Sequence, residues 1–197
     1  MTNKIILASK SKVRKQILDR NNIENEVVPS NIDEDQFKDA FLAEKATPLM
    51  ISKNLAELKS NKVSSKYPER LVLGADSVVS LDNNLINKPK TRDEALEILK
   101  RLNGLKHYLI SSVCISKNGT MIWNHTDKSE LKMKTFKTEE LISYLNKIRT
   151  ETLLSYGVYQ IEADGLELFE YIKGDQDSIM GLPIKQILNY IKNYKNE

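Results

Sequence analysis

Apolar positions recur along the chain with two different periods, and the alternation between them outlines its elements. Residues 4–8, Lys-Ile-Ile-Leu-Ala, are an apolar run short enough for a buried strand. Val13, Ile17 and Leu18 then recur at helical spacing behind Ser11, a residue suited to the N-cap, until Asn21-Asn22 ends the pattern. A second short strand is expected over 26–30. Thr47-Pro48 reads as an N-cap followed by the first helical position, with Met50, Ile51, Asn54, Leu55 and Leu58 on one face and Lys59 near the far end. Residues 71–79, Leu-Val-Leu-Gly-Ala-Asp-Ser-Val-Val, are apolar on both alternating faces, as in a strand covered by helices on both sides. A reversal over 81–85 brings the chain back beside that strand's end, and Pro89 stops further ladder pairing. Thr91-Arg92-Asp93-Glu94 reads as a capping box for a helix with Ala95, Ile98, Leu99 and Leu102 inside and Gly104 as its stop. Residues 108–116 predict a strand, Asn118-Gly119 its turn, and 121–123 the next arm, with 129–134 continuing the sheet. Thr138 opens a helix carrying Leu141, Ile142, Leu145 and Ile148. A strand is expected over 166–172, and a last helix begins near Pro183 with Ile184, Ile187, Leu188 and Ile191 inward. Strands and helices alternate throughout, which predicts an α/β fold in one domain over 1–197 without repeats or linkers.

Composition narrows the class. At 197 residues, with 40% hydrophobic and 29% charged residues, the chain can bury a substantial core and is neither disordered nor a membrane protein in character. Its start is too short for a signal-peptide core, no later stretch approaches a membrane span, and a single cysteine fits a reducing, cytoplasmic compartment. The lone Cys114 excludes an intramolecular disulfide and a cysteine metal cluster. Thirty basic against 27 acidic residues leave a net charge of +3, too balanced to predict a nucleic-acid partner.

Candidate chemistry gathers at a few positions. Asp76 interrupts a buried strand, where a carboxylate must be paired, hydrogen-bonded, bound to a metal or neutralised. Gly74 and Ala75 leave room for something to approach the backbone beside it. Ser9 and Ser11 lie in a loop that feeds a helix start, joined by Arg14 and Lys15. Unpaired amides and the helix dipole make that a natural anion site. Ile32-Asp33-Glu34-Asp35 gathers three acids in a loop, where a divalent cation would turn repulsion into attraction. His107 and His125 are read as structural.

In order and spacing, Ser9-x-Ser11-x-x-Arg14-Lys15, Asp33-Glu34, Leu55-Ala56-x-x-Lys59, Gly74-Ala75-Asp76, Lys88-Pro89 and Gly181-Leu182-Pro183 resemble the Maf family. That family, also called septum formation inhibitor Maf, belongs with the inosine-triphosphatase-like HAM1 pyrophosphatases. The resemblance runs from Ile5 to about Leu188. It implies an elongated, two-lobed α/β fold with a mixed β-sheet flanked by helices and a central nucleotide cleft between closely packed lobes. It further implies metal-dependent hydrolysis of noncanonical or modified nucleoside triphosphates to a monophosphate and pyrophosphate, a house-cleaning activity, and loosely a homodimer. By the same resemblance the catalytic positions fall on Asp76, Glu34, Lys59 and Lys88. Phosphate-binding positions fall on Ser9, Ser11, Arg14 and Lys15, and positions tied to base choice on Val13, Ser77 and Glu162. Asp76 and Glu34 can hold Mg2+ or Mn2+, or one of them can take a proton from water; sequence leaves both roles open. The pyrimidine-preferring branch, acting on dTTP and UTP, carries Arg, Thr and Gln where this chain has Val13, Ser77 and Glu162. Glu162, with the run Leu168-Phe169-Glu170, is more like the 7-methyl-GTP branch. The rival reading is a nucleotide-binding cell-division regulator with incidental hydrolysis.

Overall fold

The computed structural model describes residues 4–159, 161 and 164–194. Its elements begin with strand β1 (Ile5–Leu7), helix α1 (Lys12–Arg20), β2 (Asn25–Val27), α2 (Glu34–Ala43), α3 (Pro48–Ser64), β3 (Val72–Leu81) and β4 (Asn84–Ile86). There follow α4 (Arg92–Leu102), β5 (Lys106–Lys117), β6 (Thr120–Met133), α5 (Thr138–Lys147) and α6 (Thr150–Tyr156). A 3-10 turn (Asp164–Leu168), β7 (Phe169–Lys173), α7 (Gln176–Ile179) and α8 (Ile184–Tyr194) complete the described chain. The strands form one mixed sheet in the order β2-β1-β3-β5-β6-β7, with β4 on β3. Pairing is parallel from β1 to β2 and to β3, and antiparallel from β3 to β4 and from β6 to β7.

The residues group into two compact units. One contains Met1–Val78, Ile110–Lys128 and Asp175–Glu197; the other contains Val79–Leu109 and Ser129–Gly174. In the first, burial on both faces of the sheet explains the unbroken apolar runs. Ile5, Leu7, Leu73 and Ala75 pack with Ile17, Leu18, Ile184 and Ile187, while Ile6, Ala8 and Val72 pack with Val63. Consecutive strand residues therefore serve different layers: in β3 the odd positions Leu73 and Ala75 join the cluster of α1 and α8, and Val72 joins that of α3. In the second unit, Leu99 and Leu102 of α4 pack with Leu131, Met133, Leu141 and Leu145. No helix among the described residues is long and apolar enough to cross a membrane.

Several local expectations change. The acidic segment is not an open loop: Asp33 caps α2 through Gln36 N, and Glu34 is its first helical residue. No residue of α2 is fully buried, so its apolar period is weak. The expected face of α3 is displaced, because Met50 is exposed and the buried stripe is Ile51, Ser52, Leu55, Ala56, Lys59, Ser60 and Val63. Arms 121–123 and 129–134 are one continuous strand, β6, and residues 166–168 form a 3-10 turn rather than strand. Helix α6 fills a region with no predicted element. At Thr91 only half of the expected capping box forms, since Glu94 reaches back to Lys90 N instead of Thr91 N.

Candidate active site

Parallel strands β1 and β3 end their pairing at Leu7 and Leu73, while β3 runs on to Leu81. The carboxyl ends of parallel strands are where open α/β sheets bind ligands. Beyond that point the Leu73 carbonyl still accepts from Ala8 N at 2.8 Å, but the next carbonyl on the same edge, Ala75 O, has lost its strand partner. Arg14 Nη1 takes it at 2.9 Å, so a side chain continues the ladder that β1 abandons. The guanidinium also donates from Nη1 to Ser9 Oγ at 3.3 Å, from Nε to Gly181 O at 2.9 Å and from Nη2 to Ser77 Oγ at 3.1 Å. Ser11 caps α1 through Arg14 N, which sets the turn from which Arg14 reaches inward. Gly181 presents its carbonyl from a positive φ of 96°, a conformation that favours glycine.

On the other face of β3, Asp76 meets Lys59. Both are buried, and Lys59 Nζ lies 2.7 Å from Asp76 Oδ1 and 2.9 Å from Glu34 Oε1. One ammonium thus holds a carboxylate from β3 and another from the first turn of α2. A cation in that place offsets the cost of two neighbouring acids. Gly74 departs from the expectation that it leaves room for a ligand. A Cβ there would lie 2.1 Å from Ala56 O and 2.7 Å from Ser60 N, so its missing side chain admits the backbone of α3 instead. Ser52, Ala56 and Ser60, small residues four apart, line the same approach, and Ser52 Oγ donates to Asp76 O at 3.2 Å. That close packing is what brings Lys59 to Asp76.

Asp76 Oδ2 is buried and has no hydrogen-bond partner among the described residues. With Glu34 nearby through Lys59, the donor set is two carboxylates of hard oxygen, as Mg2+ or Mn2+ requires when substrate phosphates and waters complete the shell. Among the described residues no group of three or more His, Cys, Asp or Glu gathers for a metal. Burial lowers the pKa of Arg14 from its ordinary value, against the opposite pull of Asp76 and Glu34, and an arginine so placed still carries its charge. The guanidinium therefore feels both acids although it touches neither.

The structure brings together Ser9, Ser11, Arg14, Glu34, Lys59, Asp76 and Ser77. It turns Lys15 elsewhere: its ammonium pairs with Asp19 one turn along α1, about half exposed. Val13 is partly buried against the core cluster that contains Ile17 and Leu73. Lys88 belongs to the other compact unit, where its Nζ donates to Ser155 O at 2.7 Å. Glu162 lies outside the described residues. His107 and His125 take structural places: His107 Nε2 lies 3.0 Å from Tyr159 Oη in the second unit's core, and His125 Nε2 2.7 Å from Asp127 Oδ1. Two contributors escaped the sequence reading. Ser52 hid on an apolar helix face, and Ser111, whose Oγ lies 3.0 Å from Ser77 Oγ, interrupts an apolar strand; a polar residue at a buried position was the available signal.

A guanidinium at parallel strand ends beside a lysine-bridged pair of carboxylates makes a site suited to a phosphorylated ligand with a cation, the equipment of phosphate-cleaving enzymes. The chain belongs to the Maf-like protein family, whose model matches residues 4–194. It is 59% identical over 195 residues to a nucleoside triphosphate pyrophosphatase of Pelagibacter ubique, covering 99% of this chain and 100% of that protein. It is 33% identical over 192 residues to a 7-methyl-GTP pyrophosphatase of Rhizobium etli, covering 98% and 96%. Among solved structures it is similar to a HAM1 protein from Coxiella burnetii at a TM-score of 0.44 and 15% identity, over 66% of this chain and 72% of that one.

Proposed function

We propose that this chain is a nucleoside triphosphate pyrophosphatase, cleaving between the α and β phosphates to release a nucleoside monophosphate and pyrophosphate. The observation that carries the reading is the buried Lys59–Asp76 pair, joined by the more exposed Glu34, with one Asp76 oxygen lacking a partner among the described residues, beside Arg14. The names borne by full-length relatives support it. Phosphoryl chemistry asks little covalent participation of the protein; it needs positive charge on the phosphate oxygens and a positioned water. Arg14 with Ser9 and Ser11 supplies the first at the strand ends, and Lys59 and Lys88 add charge. Asp76 Oδ2, without a donor among the described residues, is the atom placed to accept a proton from water or to ligate a cation. Glu34 and Asp76 would hold Mg2+ or Mn2+, which when bound supplies further neutralisation of the phosphate charge. Val13, Ser77 and Glu162 are assigned to base choice. A carboxylate at Glu162 would accept from both N1–H and the amino group of guanine, so guanine-type bases, 7-methylguanine included, are favoured over uracil and thymine. The reducing compartment that suits a buried, unpaired Cys114 is the cytoplasm.

A nucleotide panel with Mg2+ and with Mn2+ tests the reading, scoring pyrophosphate against orthophosphate. Pyrophosphate with a monophosphate is expected, with GTP or 7-methyl-GTP ahead of UTP and dTTP. Orthophosphate with a diphosphate would overturn the α–β assignment, and a pyrimidine preference would overturn the role of Glu162.

A further inference from the structure

We infer that Ser111 is a positioning residue that, with Arg14, fixes the hydroxyl of Ser77 as a hydrogen-bond donor toward a bound nucleotide; this rests on the site proposed above. Ser111 lies on β5, 1% exposed, and its Oγ has a single hydrogen-bond partner among the described residues, Ser77 Oγ at 3.0 Å. A buried hydroxyl hydrogen without an acceptor is costly, whereas a hydroxyl oxygen short of one donor is less so. The Ser111 proton therefore goes to Ser77. Ser77 Oγ also receives Arg14 Nη2 at 3.1 Å, and a guanidinium can only donate. Both lone pairs of Ser77 are then occupied, and its own hydrogen is left for another acceptor. Ser77 is half-buried, so that hydrogen is within reach of a ligand, unlike that of Ser111.

Arg14 adds to the same polarity. Of its five N–H groups, four are taken by Gly181 O, Ala75 O, Ser9 Oγ and Ser77 Oγ, and the remaining one, on Nη2, has no acceptor among the described residues. The Ser77 O–H and this Nη2–H are thus two neighbouring donors, each without an acceptor among the described residues. Such a pair fits an oxygen with free lone pairs, a base carbonyl or a phosphate oxygen, and repels an exocyclic amino group.

The test compares wild type with Ser111→Ala, Ser77→Ala and the double variant, using ITP against ATP for kcat/KM and IMP, AMP and inorganic phosphate for equilibrium binding. ITP and IMP carry a carbonyl where ATP and AMP carry an amino group. A small buried Ser-to-Ala change is tolerated, and matched thermal melts confirm it. If the ligand oxygen is the base carbonyl, Ser111→Ala lowers the inosine-to-adenosine ratio by about 3- to 10-fold, the size of one neutral hydrogen bond. If it is a phosphate oxygen, the same variant weakens phosphate and both nucleotides alike, by a similar factor. In either case Ser111→Ala has no further effect in the Ser77→Ala background, because it acts through that hydroxyl. Unchanged ratios and unchanged binding in Ser111→Ala overturn the inference, as does an undiminished effect in the double variant. Equilibrium binding decides between these outcomes even if no nucleotide yields pyrophosphate, a result that would sink the proposed reaction by itself.

Discussion

Asp76 keeps one carboxylate oxygen on Lys59 Nζ and leaves the other without a donor among the described residues, an asymmetry that separates folding from chemistry within one side chain. Asp76→Asn retains an oxygen for Lys59 but loses the negative charge. It is expected to fold, by circular dichroism, and to lose turnover by about 100-fold or more, as when a general base or a metal ligand is removed. Near-normal turnover would reassign the chemistry. Lys59→Met has a different signature, because it strips the cation from between two acids. Denaturant titration should show a loss of about 3–5 kcal/mol, the cost of leaving a buried charge unpaired. Stability within about 1 kcal/mol of wild type would mean that Asp76 and Glu34 do not depend on it. At this scale the sequence showed that Asp76 needed a partner, a metal or a proton, since a carboxylate in an apolar run must be satisfied or neutralised. It could not show that Lys59 was the partner, because an ion pair between residues 17 apart is decided by how a helix packs on a strand.

Helix α3 approaches β3 closely enough that its backbone occupies the space of a missing Cβ at Gly74. Gly74→Ala must push the helix away, and backbone atoms cannot step aside as a flexible side chain would. A loss near the upper end of the usual range of about 1–3 kcal/mol for overpacking is expected, visible as a lowered Tm. Activity should fall with it, since Lys59 rides on the displaced helix; an unshifted Tm would refute the close contact. The long apolar runs of β3 and β5 and the capped helices α1, α3 and α4 were legible, because burial on defined faces writes its period into the chain. Helix α2 was not, although Phe37 and Phe41 stand four apart and Asp33 precedes Gln36 by three. With no fully buried residue it leaves only a faint period, and three consecutive acids pointed to a loop. The buried stripe of α3 was misplaced for a related reason: close packing selected serine and alanine, which a search for large apolar residues passes over.

Across the whole molecule, acid should act first through the second compact unit. His107 is fully buried beside Tyr159 and Phe169, and burial holds its pKa down at about 4, against 6.5 ordinarily. The folded protein keeps this ring neutral, while the unfolded chain takes up a proton below about pH 6.5. Stability from this group is therefore complete above pH 6.5 and is lost as pH falls toward 4, by up to about 3 kcal/mol. Denaturation midpoints between pH 7 and 4 should show that decline, and His107→Gln should flatten it; an unchanged slope would remove His107 as the cause. The fold as a whole was readable as alternating α/β, whereas the division of β3, β5 and β6 between two compact units was not, since strand periodicity is blind to which helices cover each end. The alternation of β3 has a consequence of its own. Asp76 and Ser77 are neighbours in the chain yet look into different layers, one toward α3 and the other toward α1. Under the roles proposed here, adjacent codons govern separate tasks, so a change of diet at one need not disarm the other. A lineage could exchange one nucleotide for another by single steps along a strand whose reactive residue never moves.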